Sequence, residues 1–251
     1  MLEALVKGVK GGVWFSLIDK IQRPSTLAAA WMAVKRNGGS AGSDHQSIED
    51  FEKDLAEEIA RLSDALRTGS YRPRPIRRAY IDKPGSKEKR PLGIPCVRDR
   101  VVQGALRMVI EPIFENVFVG HSYGFRPKRG CKDALREVER LLRAGYTHVA
   151  DADIKAYFDN IPHGPLMADI GRYIADGRVL ELIESFLKQD ILEDMVLWTP
   201  EKGSPQGAVV SPLLANLYLH PVDVAMAATG FEMIRYADDR APRRRGKEWV
   251  V

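Results

Sequence analysis

Arg235-Tyr236-Ala237-Asp238-Asp239 sets two carboxylates side by side, directly after Phe231-Glu232-Met233-Ile234, a short run that reads as a strand ending in a turn. Neighbouring residues on a strand point to opposite faces, so Asp238 and Asp239 converge only where the strand breaks into a turn. Two crowded carboxylates oppose each other's ionisation unless a cation neutralises them. Mg2+, which takes a few carboxylate oxygens together with water and phosphate, meets that need. A surface turn with both acids solvated is the other reading of the pair, and the rest of the chain must decide between them.

The chain has 251 residues, 45% hydrophobic and 29% charged, enough for one large domain or two lobes sharing a core. Its net charge is only +4. The excess is local, however: residues 71–100 hold ten Lys and Arg against Asp82, Glu88 and Asp99, a net of +7. That density suits a polyanion such as nucleic acid or a triphosphate, or else a solvated charged face. Cys96 and Cys131 make neither a disulfide framework nor a zinc site, so a reducing compartment, the cytoplasm, is expected. No signal peptide and no apolar run of membrane-spanning length is read.

Outward from the acidic pair, residues 24–34 read as a helix entered through Pro24 and Ser25, and residues 37–44 as a turn-rich connection. Ser47 and Asp50 form a capping pattern for a helix whose stripe is Ile48, Phe51, Leu55, Ile59, Leu62 and Leu66, closed by Gly69. Residues 76–82 and 90–94 predict a hairpin turning at Pro84-Gly85-Ser86-Lys87. Residues 99–119 have helical spacing, with Pro112 expected to kink or divide the helix. A basic aromatic loop, residues 123–130, precedes a helix over 131–144 that ends at Gly145. His148 to Ile154 predicts a buried strand carrying Asp151 and Asp153. Helices near 164–175 and 178–189, a strand over 191–199, a tight loop at Gly203-Ser204-Pro205-Gln206-Gly207 and a further helix complete the chain up to the last strand.

A two-metal phosphoryl-transfer site needs carboxylates from at least two places, holding ions roughly 4 Å apart. Asp153, at a strand end, partners the Asp238/Asp239 turn if the two strands are sheet neighbours. Otherwise it is an acid bonding backbone amides. Lys83 and Arg90, on the basic hairpin, are placed to hold a triphosphate. Phe158, five residues after Asp153, is either a wall under a sugar whose bulk excludes a 2′-hydroxyl, or ordinary core. Gln206, in a tight loop before a helix, is either a nucleotide contact or a plain loop residue.

These residues sit in segments that resemble the reverse transcriptases encoded by group II introns. In that family's order, YIDKPGSKEKRPLGIPCVRDRVVQGAL (80–106) resembles the fingers hairpin and its following helix, and HSYGFRPKRG (121–130) the next block. ADIKAYFDNIPH (152–163) resembles the strand with the first catalytic Asp, GSPQGAVVSPLLANLYL (203–219) the loop and helix under the nucleotide, and RYADD (235–239) the catalytic turn. KRNGGSAGSD (35–44) is similar to the family's N-terminal extension. A lone YADD arises by chance on the order of once in 500 chains of this length, but five ordered blocks do not.

The resemblance implies an α+β, right-hand polymerase fold of fingers and palm, with an antiparallel palm sheet, packed helices and no thumb. It divides the chain into an N-terminal extension (1–45), fingers with part of the palm (46–145), palm (146–239) and a basic tail outside the family pattern (240–251). It implies that Asp153, Asp238 and Asp239 are catalytic and hold two Mg2+ ions, the first two doing most of the coordination. Lys83, Arg90, Phe158 and Gln206 would bind the dNTP, and Arg126, Lys128 and Arg129 the RNA backbone. Asp82 stands where the family more often has a proline, placing an acid beside Lys83. The implied partners are an intron RNA template, a DNA primer and dNTPs, with no membrane. Past Asp239, where the family continues with an apolar strand, Pro242 and the run Arg243-Arg244-Arg245 are expected not to pair. That implies a truncated or frameshifted reading frame with little or no processive synthesis. A maturase fragment that aids splicing without polymerising, and a retron or defence-type reverse transcriptase, are the alternative functions.

Overall fold

The structure, a computed structural model, describes residues 12–82, 89–146, 148–150, 152–237 and 239–244, the last of these segments as backbone alone. Its first half is helical. α1 (Ile18–Ile21) leads into α2 (Pro24–Asn37), which starts with Pro24 at a position where the missing N–H costs nothing. The single helix expected over 47–68 is two, α3 (Ile48–Lys53) and α4 (Leu55–Thr68), parted at Asp54. Ser47 caps α3 by accepting from Asp50 N at 3.0 Å, and the Asp50 carboxylate accepts in return from Ser47 N. α4 ends at Gly69 in the left-handed conformation that a Cβ disfavours.

β1 (Ile76–Asp82) and β2 (Lys89–Ile94) pair antiparallel from Arg77↔Ile94 to Asp82↔Lys89, as the hairpin reading requires. Its turn, with Lys83 and Pro84 to Lys87, lies outside the described residues. α5 (Val97–Glu115) follows and forms the spine of the core. Val101, Val102, Ala105, Leu106 and Ile110 on it have no exposed surface. Pro112 remains inside α5 without dividing it. α2 crosses α5 closely where Gly104 meets Ala30: a Cβ at Gly104 would lie 3.1 Å from that of Ala30.

α6 (Cys131–Arg143) leads to β3 (His148–Val149), and a short 3-10 turn (Phe158–Asn160) precedes α7 (His163–Gly171) and α8 (Gly177–Leu187). β4 (Ile191–Glu193) and β5 (Val196–Trp198) replace the single strand expected over 191–199. The hairpin between them turns on Asp194 and Met195, both at positive φ (47° and 67°). α9 (Ser211–Ala228), β6 (Glu232–Tyr236) and β7 (Asp239–Arg244) end the described chain.

Two sheets result. One runs β2-β1-β4-β5, with β1 and β4 parallel, and the other runs β3-β7-β6 and is antiparallel throughout. A single apolar core extends from Leu17 to Leu219, and a smaller cluster of Ala134, Leu141 and Ile234 seats α6 against β6.

Two expectations are corrected. The strand read over His148–Ile154 is only two residues long and is not buried, because it is an edge strand with β7 as its one neighbour. Of the tail expected to pair with nothing, residues 240–244 lie in β7, the middle strand of its sheet, which pairs with β6 from Tyr236↔Asp239 to Glu232↔Arg243, while residues 245–251 lie outside the described residues. Among the described residues β3 pairs with Arg243 and Arg244 and not with Pro242, whose partner is Met233 on β6, so at most one ladder bond is forgone there.

Candidate active site

The turn after β6 is held from beneath by a buried arginine. Arg235, and Asp223 on α9, have no exposed surface. Arg235 Nε and Nη2 donate to the Asp223 carboxylate at 2.8 and 2.7 Å. Nη1 donates to Asn216 Oδ1 and to the Ala237 carbonyl, both at 2.8 Å, and Nη2 also donates to Ser122 Oγ at 2.7 Å. All the N–H groups of the fork are therefore used. Residues 121–123 run beside β6: Arg235 N donates to the His121 carbonyl at 3.0 Å, and Tyr123 N to the Arg235 carbonyl at 2.9 Å.

Asp238 and the side chain of Asp239 lie outside the described residues. β3 pairs with β7 as His148↔Arg244 and Val149↔Arg243. β3 thus leads on towards Asp153 from beside β7, the strand that begins at Asp239. Asp153 is exposed, and among the described residues its carboxylate has no hydrogen-bond or ion-pair partner.

The loop at 203–207 ties the Phe158 turn to the basic hairpin. Ser204 N donates to the Phe158 carbonyl at 2.7 Å, and Gly93 N on β2 donates to the Gln206 carbonyl at 2.7 Å. Gly207 makes that docking possible. Its φ is +105°, and a Cβ there would lie 2.4 Å from the Gly93 carbonyl oxygen. Gln103, buried on α5, accepts from Val209 N at 2.7 Å and so fixes the far side of the loop. Phe158 and Gln206 are both half-buried, and Arg90 is exposed on β2, three residues before Gly93. Phe158 packs edge-on against Phe125 with 6.0 Å between centroids, and Phe125 is itself exposed. The loop thus links Phe158, Gln206 and the strand of Arg90. Lys83 lies outside the described residues.

The three basic residues of the 121–130 block differ. Lys128 is exposed. Arg129 is half-buried, bonded to the Gly120 carbonyl and stacked on Tyr123 at 5.5 Å. Arg126 is buried, and the expectation of a nucleic-acid contact is corrected for it. Its guanidinium is paired with Glu115 at 2.9 Å and donates to the carbonyls of Val119 and Ser122, over the Phe118 ring. A phosphate would have to displace partners it already has.

Among the described residues no group of three or more His, Cys, Asp and Glu side chains gathers to hold a metal, and two of the three expected carboxylates lie outside that set. The candidate donors are carboxylates, hard oxygen ligands that suit Mg2+ rather than a soft metal. Asp153, exposed and without a partner among the described residues, fits that chemistry. Sequence reasoning missed Asp223, Asn216 and Ser122, whose only signal was the SPLLAN and HSYG blocks in which Asn216 and Ser122 stand. It also missed Gln103 and Phe125. No described helix is long and apolar enough to cross a membrane.

The sequence matches the family model described as Reverse transcriptase (RNA-dependent DNA polymerase) over residues 81–241. It is 39% identical over 212 residues to the group II intron-encoded protein LtrA of Lactococcus lactis subsp. cremoris, covering 84% of this chain and 35% of that protein. It is 39% identical over 213 residues to protein YkfC of Escherichia coli (strain K12), covering 82% of this chain and 56% of that protein. A solved structure, the partial Cas6-RT-Cas1--Cas2 complex, superposes with a TM-score of 0.59 at 26% identity over 92% of this chain and 39% of the matched one. The chain thus spans about a third to a little over half of these curated relatives' length. Motifs, sheet and match agree, and the chain belongs to the reverse transcriptase family, with group II intron-encoded proteins among its relatives.

Proposed function

We propose that the chain carries the fingers (46–145) and the catalytic palm (146–239) of an RNA-directed DNA polymerase of group II intron type. It would add a dNTP to a DNA primer 3′-hydroxyl opposite an intron RNA template. The observation that supports this reading is the β3–β7–β6 sheet, in which the strand leading towards Asp153 pairs with the strand that begins at Asp239. In the reaction the primer 3′-oxygen bonds the α-phosphorus, the α–β bridging P–O bond breaks, and pyrophosphate leaves. Two Mg2+ ions, bound by Asp153, Asp238 and Asp239, would lower the pKa of the attacking hydroxyl and offset charge on the leaving group. Lys83 and Arg90 would hold the triphosphate by charge-assisted hydrogen bonds. Phe158, kept in place by Phe125 and the Ser204 amide, would lie under the sugar and exclude a 2′-hydroxyl. Gln206 would line the nucleotide site from a loop docked on β2, and Lys128 and Arg129 would meet RNA phosphates.

Single-nucleotide addition to a DNA primer annealed on RNA tests this more directly than processive synthesis does. Mg2+-dependent addition of a dNTP is expected, with a loss of about 10³-fold or more in Asp153→Asn and increased use of ribonucleotides in Phe158→Val. Addition that survives Asp153→Asn overturns the assignment. A role in splicing without polymerisation predicts that Asp153→Ala leaves intron RNA binding and splicing intact.

A further inference from the structure

The Arg235 network spans three segments that are far apart in sequence. Asp223 and Asn216 come from α9, Ser122 from the segment beside β6, and the Ala237 carbonyl from the turn itself. Asn216 closes the circuit by donating Nδ2 to the Gly124 carbonyl at 2.8 Å. Gly124 in turn lies against the turn backbone: a Cβ there would sit 2.1 Å from Ala237 N and 2.8 Å from Ala237 Cα. Ala237 has φ 58°, a left-handed conformation that a residue with a Cβ keeps only when its surroundings impose it.

A buried ion pair is a poor device for stability alone, since well-packed apolar residues of the same volume usually serve as well or better. What apolar residues cannot do is bond a carbonyl. Arg235 does so at Ala237, the last residue before Asp238, while its remaining donors are locked by Asp223, Asn216 and Ser122. Gly124 leaves the Ala237 backbone no room for a Cβ beside it.

We propose that Arg235 is a positioning residue, which, through its bond to the Ala237 carbonyl and the Asp223–Asn216–Gly124 framework, fixes the turn that presents Asp238 and Asp239 to a divalent metal. The proposal rests on the reading of Asp153, Asp238 and Asp239 as the metal carboxylates. Arg235 touches neither metal nor substrate. It sets the geometry, and with it the metal affinity, of residues that do.

The test is titration of the 251-residue chain with Mn2+ alone, followed by electron paramagnetic resonance of the free ion, in wild type, Asp153→Ala, Arg235→Lys and Gly124→Ala. Arg235→Lys keeps the cation opposite Asp223 but loses the fork. Gly124→Ala pushes on Ala237 without disturbing the ion pair. Both variants are expected to keep cooperative melting while binding Mn2+ about tenfold more weakly, with Asp153→Ala weakened at least as much. If Asp153→Ala is impaired but both folded variants bind within twofold of wild type, the positioning role is refuted and the metal site stands. If Asp153→Ala binds as wild type does, the metal-site reading fails and the positioning role falls with it. Loss of cooperative melting in both Arg235→Lys and Gly124→Ala also overturns the proposal, because the network is then a folding element only.

Discussion

Replacing Asp223 by Ala should destabilise the protein far more than a typical substitution. The change removes the carboxylate from a guanidinium with no exposed surface, leaving Arg235 Nε and one donor of Nη2 without partners. Breaking a buried pair from one side costs about 3–5 kcal/mol, because the surviving charge stays desolvated. Whole domains hold about 5–15 kcal/mol, so the loss is a large share of the total. At about 2–4 °C per kcal/mol for chains of this size, the melting midpoint should fall by roughly 6–20 °C. Thermal and urea denaturation of wild type, Asp223→Ala and the double variant Asp223→Leu/Arg235→Met measure the loss. The double variant should be more stable than Asp223→Ala, since neither charge remains. It should still fall short of wild type, since Asn216, Ser122 and the Ala237 carbonyl lose a donor. An Asp223→Ala variant within about 1 kcal/mol of wild type refutes the reasoning.

Gly207→Ala should cost about 1–3 kcal/mol in backbone strain and loosen the loop from β2, raising the KM for dNTP. An unchanged urea midpoint together with an unchanged KM contradicts this. Asp99 is buried under Tyr71, which donates to it at 2.5 Å, and burial raises its carboxyl from an ordinary 3.8 to about 6. A folded-state pKa above the unfolded value favours the protonated form, so the stability it contributes is full below about pH 4 and lost as pH rises through about 6. The stability of Asp99→Asn relative to wild type should therefore grow by up to about 3 kcal/mol between pH 4 and pH 7, and a flat difference contradicts it. Arg126→Ala should lower stability by about 2 kcal/mol or more without changing the salt dependence of RNA binding. Lys128→Ala should do the reverse, reducing the slope of log affinity against log salt by about 0.7–0.9.

The parts legible in the sequence were those whose signal is local. Ser47 and Asp50 lie three residues apart and cap α3 as read, and the strands of the 76–94 hairpin follow from β-formers cut by proline and glycine. Apolar spacing likewise marked α2, α5 and α6. The β4–β5 turn was hidden because Asp194-Met195 has neither Gly nor Asn at its positive-φ positions. β7 was hidden because strand pairing is set by neighbours, and the charge of Arg240 and Arg243 said nothing of the partners waiting in β3 and β6. Arg126 read as a surface cation because its partner Glu115 is on another element, at the end of α5. The Arg235 network could not be seen at all, since Ser122 is 113 residues from Arg235 and meets it only in the fold.

The central claim is that Asp153 and the Asp238/Asp239 turn share one metal site. Fe2+ substituted for Mg2+, with ascorbate and peroxide, cuts the backbone next to the bound ion, and mapping the cut sites tests the claim without any demand on activity. Cuts are expected in two separate stretches, around residue 153 and around residues 237–240, competed by Mg2+ and both lost together in Asp153→Ala. Cutting confined to one stretch, or cutting at 237–240 that survives Asp153→Ala, would contradict it.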